Sequence, residues 1–205
     1  MADYSQPLQL LWIDMETTSL PKEGDGLIDF RDVHVLEFAM IVTDMALNIE
    51  VSGYYEVIKM TREAADSLRN NPEVKAMHRT NGLIEESIKA TMTLADVDAE
   101  VDKILRTETT FDKRQFAVAG SGVARFDLPL IKAKMPLLAS WVNYFPFDIG
   151  IERRVSTALA GRRLVNYAPK SYGEEKLHRA MADVEAHLRE AQDYRDFYRS
   201  LPIPQ

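Results

Sequence analysis

The chain has 205 residues, 46% hydrophobic and 28% charged, with a net charge of −7. That is ordinary globular composition, long enough for one sizeable core and short for two, and its acidity disfavours a non-specific coat for DNA. No apolar run reaches transmembrane length, the start lacks a basic stretch followed by an apolar one, and the absence of cysteine excludes disulfides and thiolate metal sites. A cytoplasmic protein with no membrane partner is expected.

Leu8 to Glu16 is an apolar run of strand length ending in two carboxylates, Asp14 and Glu16. Continuous apolar runs of this kind are central strands of α/β sheets. Residues two apart on a strand share a face, so the two carboxylates project together. Open α/β sheets place their sites at the C-terminal strand ends. Adjacent carboxylates raise each other's pKa unless a cation sits between them, and hard oxygen ligands suit Mg²⁺ or Mn²⁺. An Asp-x-Glu also ends ordinary strands, so the rest of the chain has to decide.

Thr17 to Gly26 has turn chemistry and is expected to be a loop. Val33–Thr43, with Glu37 inside it, and Ile49–Ile58 predict a hairpin pair. From Thr61 to Ala90 the period changes to that of short helices, broken at Asn70-Asn71-Pro72 and at Asn81-Gly82. Thr93-Leu94-Ala95-Asp96 predicts a capping box opening a helix to about Arg106. Phe116–Ala119 is a buried-type strand leading through Gly120-Ser121-Gly122 to Asp127 at or beside a helix N-terminus, with Pro129 in the first turn. Tyr144–Ile149 predicts a last strand, a helix carrying Arg153, Arg154 and Leu159 follows, and Gly161–Gly173 is expected to be a loop. Ala180 to about Ser200 is the final helix, its apolar face taking Val184, Leu188 and Ala191. Early hairpins and later alternation predict a mixed α/β sheet.

His178 and Asp183 are five residues apart and would lie on different faces of one continuous helix. They converge if His178 lies in the loop and Asp183 in the first turns. Imidazole suits a general base, its unperturbed pKa lying near neutrality, and Asp183 would face inward as a metal ligand. An acid in a helix's first turn is also favourable by itself, an ordinary reading that applies to Asp127 too. Arg153, Arg154, Arg162, Arg163 and Lys170 form a basic cluster that either guides a phosphate backbone or is a solvated face. His34 and His187 are expected to be surface or packing residues.

Asp14-Met15-Glu16, Phe126-Asp127 after a Gly-Ser-Gly strand end, and His178 through Asp183 resemble the three motifs of the DEDD exonucleases, in the subclass with a His in the third. Leu11 through Thr18, His78-Arg79-Thr80-Asn81-Gly82-Leu83 and the stretch from His178 to Arg195 narrow the resemblance toward the oligoribonucleases, over nearly the whole chain. The resemblance implies a ribonuclease-H-like α/β fold, a mixed five-stranded sheet flanked by helices, as a single 3′–5′ exonuclease domain over residues 1–205. It implies hydrolysis of short single-stranded RNA to nucleoside 5′-monophosphates. Asp14, Glu16, Asp127 and Asp183 would hold two Mg²⁺ or Mn²⁺ ions and His178 would take the proton of water. Leu20, as an apolar wedge between bases, His78, Asn81 and Tyr144 would contact substrate. Tyr144 also matches a residue that reaches across a homodimer. A single-stranded DNA or proofreading-type exonuclease is the alternative, and a non-catalytic nucleic-acid-binding protein a more distant one.

The chain departs from that family in places. Gly120-Ser121-Gly122 stands for its Gly-Asn-Ser, and Phe145 and Gly150, around Asp148, stand for an Arg and a Ser that help cap a dinucleotide's terminal phosphate.

Overall fold

A computed structural model of the chain describes residues 9–24, 27–109, 115–160 and 178–202. The central strand β1 (Gln9–Thr17) is buried almost throughout. On one side it pairs antiparallel with β4 (Val35–Thr43), and on the other it runs parallel with β6 (Phe116–Gly120). An edge strand, β5 (Ile49–Val57), completes the hairpin with β4, and β7 (Phe147–Asp148) closes the far side, for the order β5-β4-β1-β6-β7. The mixed five-stranded sheet is as expected. The expected loop after β1 instead contains a small antiparallel ribbon, β2 (Lys22–Gly24) with β3 (Leu27–Asp29). The last strand has two residues rather than six, because helix α7 (Ile149–Ala160) starts immediately after Asp148.

The helices follow the breakers. α1 (Arg62–Asn70) ends at Asn71, and Pro72 opens α2 (Pro72–Thr80) at a position where its missing N–H costs nothing. Gly82, at φ +83°, turns the chain into α3 (Leu83–Lys89). The capping box before α4 (Leu94–Glu108) is present in both directions, Asp96 N–H donating to Thr93 Oγ1 at 3.2 Å and Thr93 N–H to Asp96 Oδ2 at 2.9 Å. α5 (Asp127–Lys134) and the one-turn α6 (Pro136–Ala139) follow β6, and α8 (Ala180–Ser200) ends the fold. The expected loop at 161–173 lies outside the described residues. Among the described residues, no helix is long and apolar enough to cross a membrane.

The alternation of β1 sorts its side chains into two cores. Leu11, Ile13 and Met15 face α4 and α5 through Val101, Leu105 and Ile131. Leu10 and Trp12 face α8 through Val184, Leu188, Ala191 and Tyr194. Burying each of the Leu, Ile, Val and Met side chains among these is worth about 1.5–3 kcal/mol, so register is strongly fixed: a one-residue slip would exchange the two faces. Asp14 and Glu16 continue the even set, so the packing that holds α8 on the sheet also delivers them to the face where α8 begins.

Candidate active site

Asp14 is half-buried and Glu16 is buried at the C-terminal end of β1. Asp127, buried, is the first residue of α5. The route to it depends on Gly120, at φ +154°, where a Cβ would lie 2.7 Å from Val123 Cγ1 and 3.0 Å from the carbonyl of Ile13. Only glycine lets β6 end that close to β1 and turn into α5. His178 precedes α8 and Asp183 lies in its first turn, the arrangement expected from their spacing. Glu16, His178 and Asp183 each offer a ligand atom, and these atoms all lie within 4.8 Å of one another.

The electrostatics are those of charge held together at a cost. Burial raises the Asp14 carboxyl well above the usual carboxylate range, and Asp127, Glu16 and Asp183 raise it further. Burial pushes Glu16 up to about 8, with Asp183 and Glu37 adding to the shift and Arg179 opposing it. Burial likewise pushes Asp127 up to about 7, its own backbone N–H opposing the shift and the nearby Asp148 adding to it. Asp183 is raised as well, mainly by burial. Acids that merely favour a helix start are solvated; Asp127 is not. A donor set of carboxylate oxygens with one imidazole, its acids made reluctant to ionise by burial and, at Asp14 and Glu16, by other acids of the set as well, fits a divalent cation.

Several residues are placed differently from expectation. His78 is fully buried: its ring Nε2–H donates to Thr17 O at 2.9 Å and lies 3.9 Å from Glu16 Oε2. It braces the end of β1 from within and is out of reach of the substrate contact expected of it, because α2 turns its last-turn ring inward. Asn81 is half-buried and donates its amide N–H to the carbonyl of His178 at 2.7 Å, so its side chain serves the loop that bears His178. Leu20 and Tyr144 are exposed, at 76% and 61%, as contact residues must be. The basic cluster dissolves in part: Arg153 makes two bonds, of 2.6 and 2.5 Å, to the buried Glu190 on α8. Arg154 remains exposed, with Nε donating to Gly150 O at 3.1 Å. Arg162, Arg163 and Lys170 lie outside the described residues. His187 is half-buried and packs under β6, its pKa lowered to about 4 by burial and by Arg153.

Two features were not singled out from the sequence. Asp148 Oδ1 accepts the N–H groups of Gly122 and Gly150 at 3.1 and 3.0 Å, tying the β6 turn to α7. Glu37, fully buried, accepts from Arg179 Nε and from the N–H of Ala180, both at 2.8 Å. A carboxylate in mid-strand among apolar neighbours is itself the signal, since such a group is buried only with a partner. A groove of about 800 Å³ opens over this pair, walled by Tyr55, Thr80, Gly82 and Met181; none of the four clustered carboxylates lines it.

The family model described as "Exonuclease" matches residues 11–191, from β1 through most of α8. The chain belongs to the exonuclease family. Among curated relatives, the oligoribonuclease of Cutibacterium acnes is 30% identical over 187 residues, covering 91% of this chain and 84% of that one. That of Leifsonia xyli is 31% identical over 188 residues, covering 91% and 82%. Among solved structures, exonuclease I from Methylocaldum szegediense superposes with a TM-score of 0.64 at 18% identity, over 94% of this chain and 41% of its own. Exonuclease I of E. coli, bound to zinc and single-stranded DNA, gives 0.64 at 17%, over 95% and 42%. This chain therefore spans about two-fifths of those exonuclease I chains, and at such identity the likeness establishes the ribonuclease-H-like fold. This member of the exonuclease family is a 3′–5′ exonuclease of the DEDD type that resembles oligoribonuclease, and the family together with the acidic cluster points to dependence on a divalent metal.

Proposed function

We propose that the protein hydrolyses short single-stranded RNA from the 3′ end to nucleoside 5′-monophosphates, as one exonuclease domain over residues 1–205. The observation that carries this reading is the convergence of Glu16, His178 and Asp183, from β1 and the start of α8, beside Asp14 and Asp127. Asp14, Glu16, Asp127 and Asp183 would hold two Mg²⁺ or Mn²⁺ ions, which when bound lower the pKa of water and neutralise charge on the leaving 3′ oxygen. His178 is exposed and carries the base role: it takes the proton of the attacking water, whose oxygen bonds to phosphorus as the bond to the 3′ oxygen breaks. The end of β1 and the first turns of α5 and α8 hold the four acids on regular elements, so little reorganisation is needed when charge develops. Leu20 projects from the chain just past β1, where it can wedge between the last bases.

Tyr144 and the exposed stripe Ile151, Val155 and Leu159 along α7 support a homodimer, since a self-complementary apolar patch suffices for two-fold pairing. The absence of cysteine fits a cytoplasmic location.

The test is cleavage of RNA and DNA oligomers of equal sequence, with Mg²⁺ or Mn²⁺ and with EDTA. RNA cleaved faster than DNA, and only with metal, supports the reading. DNA preferred over RNA would make the protein a single-stranded DNA exonuclease, and neither cleaved would make it a binding protein.

A further inference from the structure

His178 has a backbone φ of +61°, unusual for a side chain other than glycine. A residue held there costs free energy and persists when its surroundings over-determine it. Those surroundings are specific. The His178 carbonyl accepts the Asn81 amide at 2.7 Å. The next residue, Arg179, spreads its guanidinium over three elements. Nε donates to Glu37 on β4 at 2.8 Å, Nη2 donates to Tyr55 Oη on β5 at 2.6 Å, and Nη2 donates to Glu86 on α3 at 2.6 Å. Nη1 donates to the carbonyl of Asn81 at 3.4 Å, and the second oxygen of Glu37 accepts the N–H of Ala180 at 2.8 Å.

The pattern is more than a surface ion pair. The Glu37 side chain is fully buried and that of Arg179 is 18% exposed, a setting in which pairing is compulsory and geometry is fixed. Glu37 also sits opposite Glu16 in the β1–β4 register, so the anchor and a candidate metal ligand are fixed by the same pair of strands. His178 is exposed, so its position comes from its backbone, which Asn81 holds on one side and Arg179 with Ala180 hold on the other.

From this arrangement we infer that Arg179 is a positioning residue for catalysis: clamped by Glu37, Glu86 and Tyr55, and assisted by Asn81, it fixes the base His178 over the carboxylates. The inference rests on the base role of His178. Lysine at 179 keeps a charge for Glu37 but lacks the planar fork that reaches three acceptors at once. The rival reading is that the cluster only seals the sheet against α3, with no route to the chemistry.

A double-mutant cycle on the full chain separates the two. Arg179→Lys, His178→Ala and the double variant are compared by kcat and KM on one short RNA, with Mn²⁺ affinity and Tm measured alongside. Arg179→Lys is expected to lower kcat roughly 10–100-fold, the scale for a catalytic group displaced by about an ångström, with KM and Mn²⁺ affinity close to wild type. In the His178→Ala background the same change is expected to cost little more, because the group it positions is gone. Losses that multiply, or a wild-type kcat in Arg179→Lys, would overturn the inference. Asn81→Ala, which removes only the bond to the His178 carbonyl and a cap on α3, is read in the same cycle with the same criteria if the Arg179 variant does not fold. Wild-type protein that cleaves nothing, or His178→Ala that keeps the wild-type rate, contradicts the proposed chemistry and the inference with it; multiplying losses contradict the inference alone.

Discussion

Glu16 and Glu37 are directly paired across β1 and β4, two carboxylates on the same face of one sheet. Like charges so placed repel. Glu37 is neutralised by Arg179, whereas Glu16 turns toward Asp183 and is left with an elevated pKa. The fold therefore holds a cluster of acids that a cation, rather than the protein, must compensate.

That cluster sets a pH dependence. Glu16, raised to about 8, and Asp127, raised to about 7, bind protons in the folded state that the unfolded chain has already lost above its ordinary carboxylate range. These two groups thus favour the metal-free fold most at low pH, and that contribution falls progressively as pH rises above the ordinary carboxylate range, levelling off only at about 7 to 8. Below about 6.5 the lowered pKa of His187 acts with the opposite sign, stabilising the fold as pH rises, so the clean window is 6.5–8. Without metal, Tm is expected to fall across that window, and Mn²⁺ is expected to raise it most at pH 8. Calorimetry of stripped protein checks this; a Tm that climbs from pH 6.5 to 8 would contradict it.

Asp14→Asn removes a ligand and also a repelling charge. The variant is expected to lose turnover and bind Mn²⁺ weakly while its metal-free Tm equals or exceeds that of the wild type. Titration with Mn²⁺ and thermal melts of the same sample measure both halves, and a strongly lowered Tm would mean that Asp14 is needed for folding instead.

Length preference is expected to follow from positions 145 and 150, where the resemblance places a phosphate cap. Phe145 cannot grip a phosphate; it lies against Tyr144 with ring centroids 3.9 Å apart, an aromatic surface on which any base can stack. A serine at position 150 would have to displace the Ser121 hydroxyl, because a Cβ there would lie 2.7 Å from Ser121 Oγ. Arg153 is committed to Glu190, and Arg154 uses one N–H on Gly150 O. On 5′-phosphorylated RNAs of two to seven nucleotides, kcat/KM should change less than the 10- to 100-fold that a charge-assisted phosphate contact of about 1.5–3 kcal/mol would give. Phe145→Arg should shift preference toward dinucleotides. A steep fall beyond the dinucleotide in the wild type would instead assign the grip to Arg154, and Arg154→Ala should then flatten it.

The stripe Ile151, Val155 and Leu159 is spaced four residues apart on α7 and exposed at 53%, 48% and 84%. Light scattering is expected to give the mass of a dimer, and Val155→Asp that of a monomer. An active wild-type monomer at assay concentration would reject the pairing.

Much of this was legible before the structure, for identifiable reasons. The apolar run ending in Asp14 and Glu16 has the length and pattern of a central strand, and the breakers at Asn71-Pro72 and Gly82 act locally, so their effect is readable from sequence. The third motif was solved by spacing, because His178 and Asp183 converge only with the helix starting between them. His78 and Arg153 were misplaced for one reason. A polar side chain near a motif reads as available, and whether a buried partner such as Thr17 O or Glu190 claims it depends on contacts 61 and 37 residues away. Glu37 was visible as a charge in a strand, but its partner Arg179 lies 142 residues on. The ribbon of β2 and β3 is too short to leave a periodic signal.

The most direct test of the whole account is the fate of a 5′-labelled RNA oligomer after the protein is stripped of metal and Mn²⁺ is restored. The expected result is no cleavage in the stripped state and, with metal, a ladder shortening one nucleotide at a time from the 3′ end as nucleoside 5′-monophosphates accumulate. Undiminished cleavage in EDTA, or internal cuts without a 3′ ladder, would contradict it.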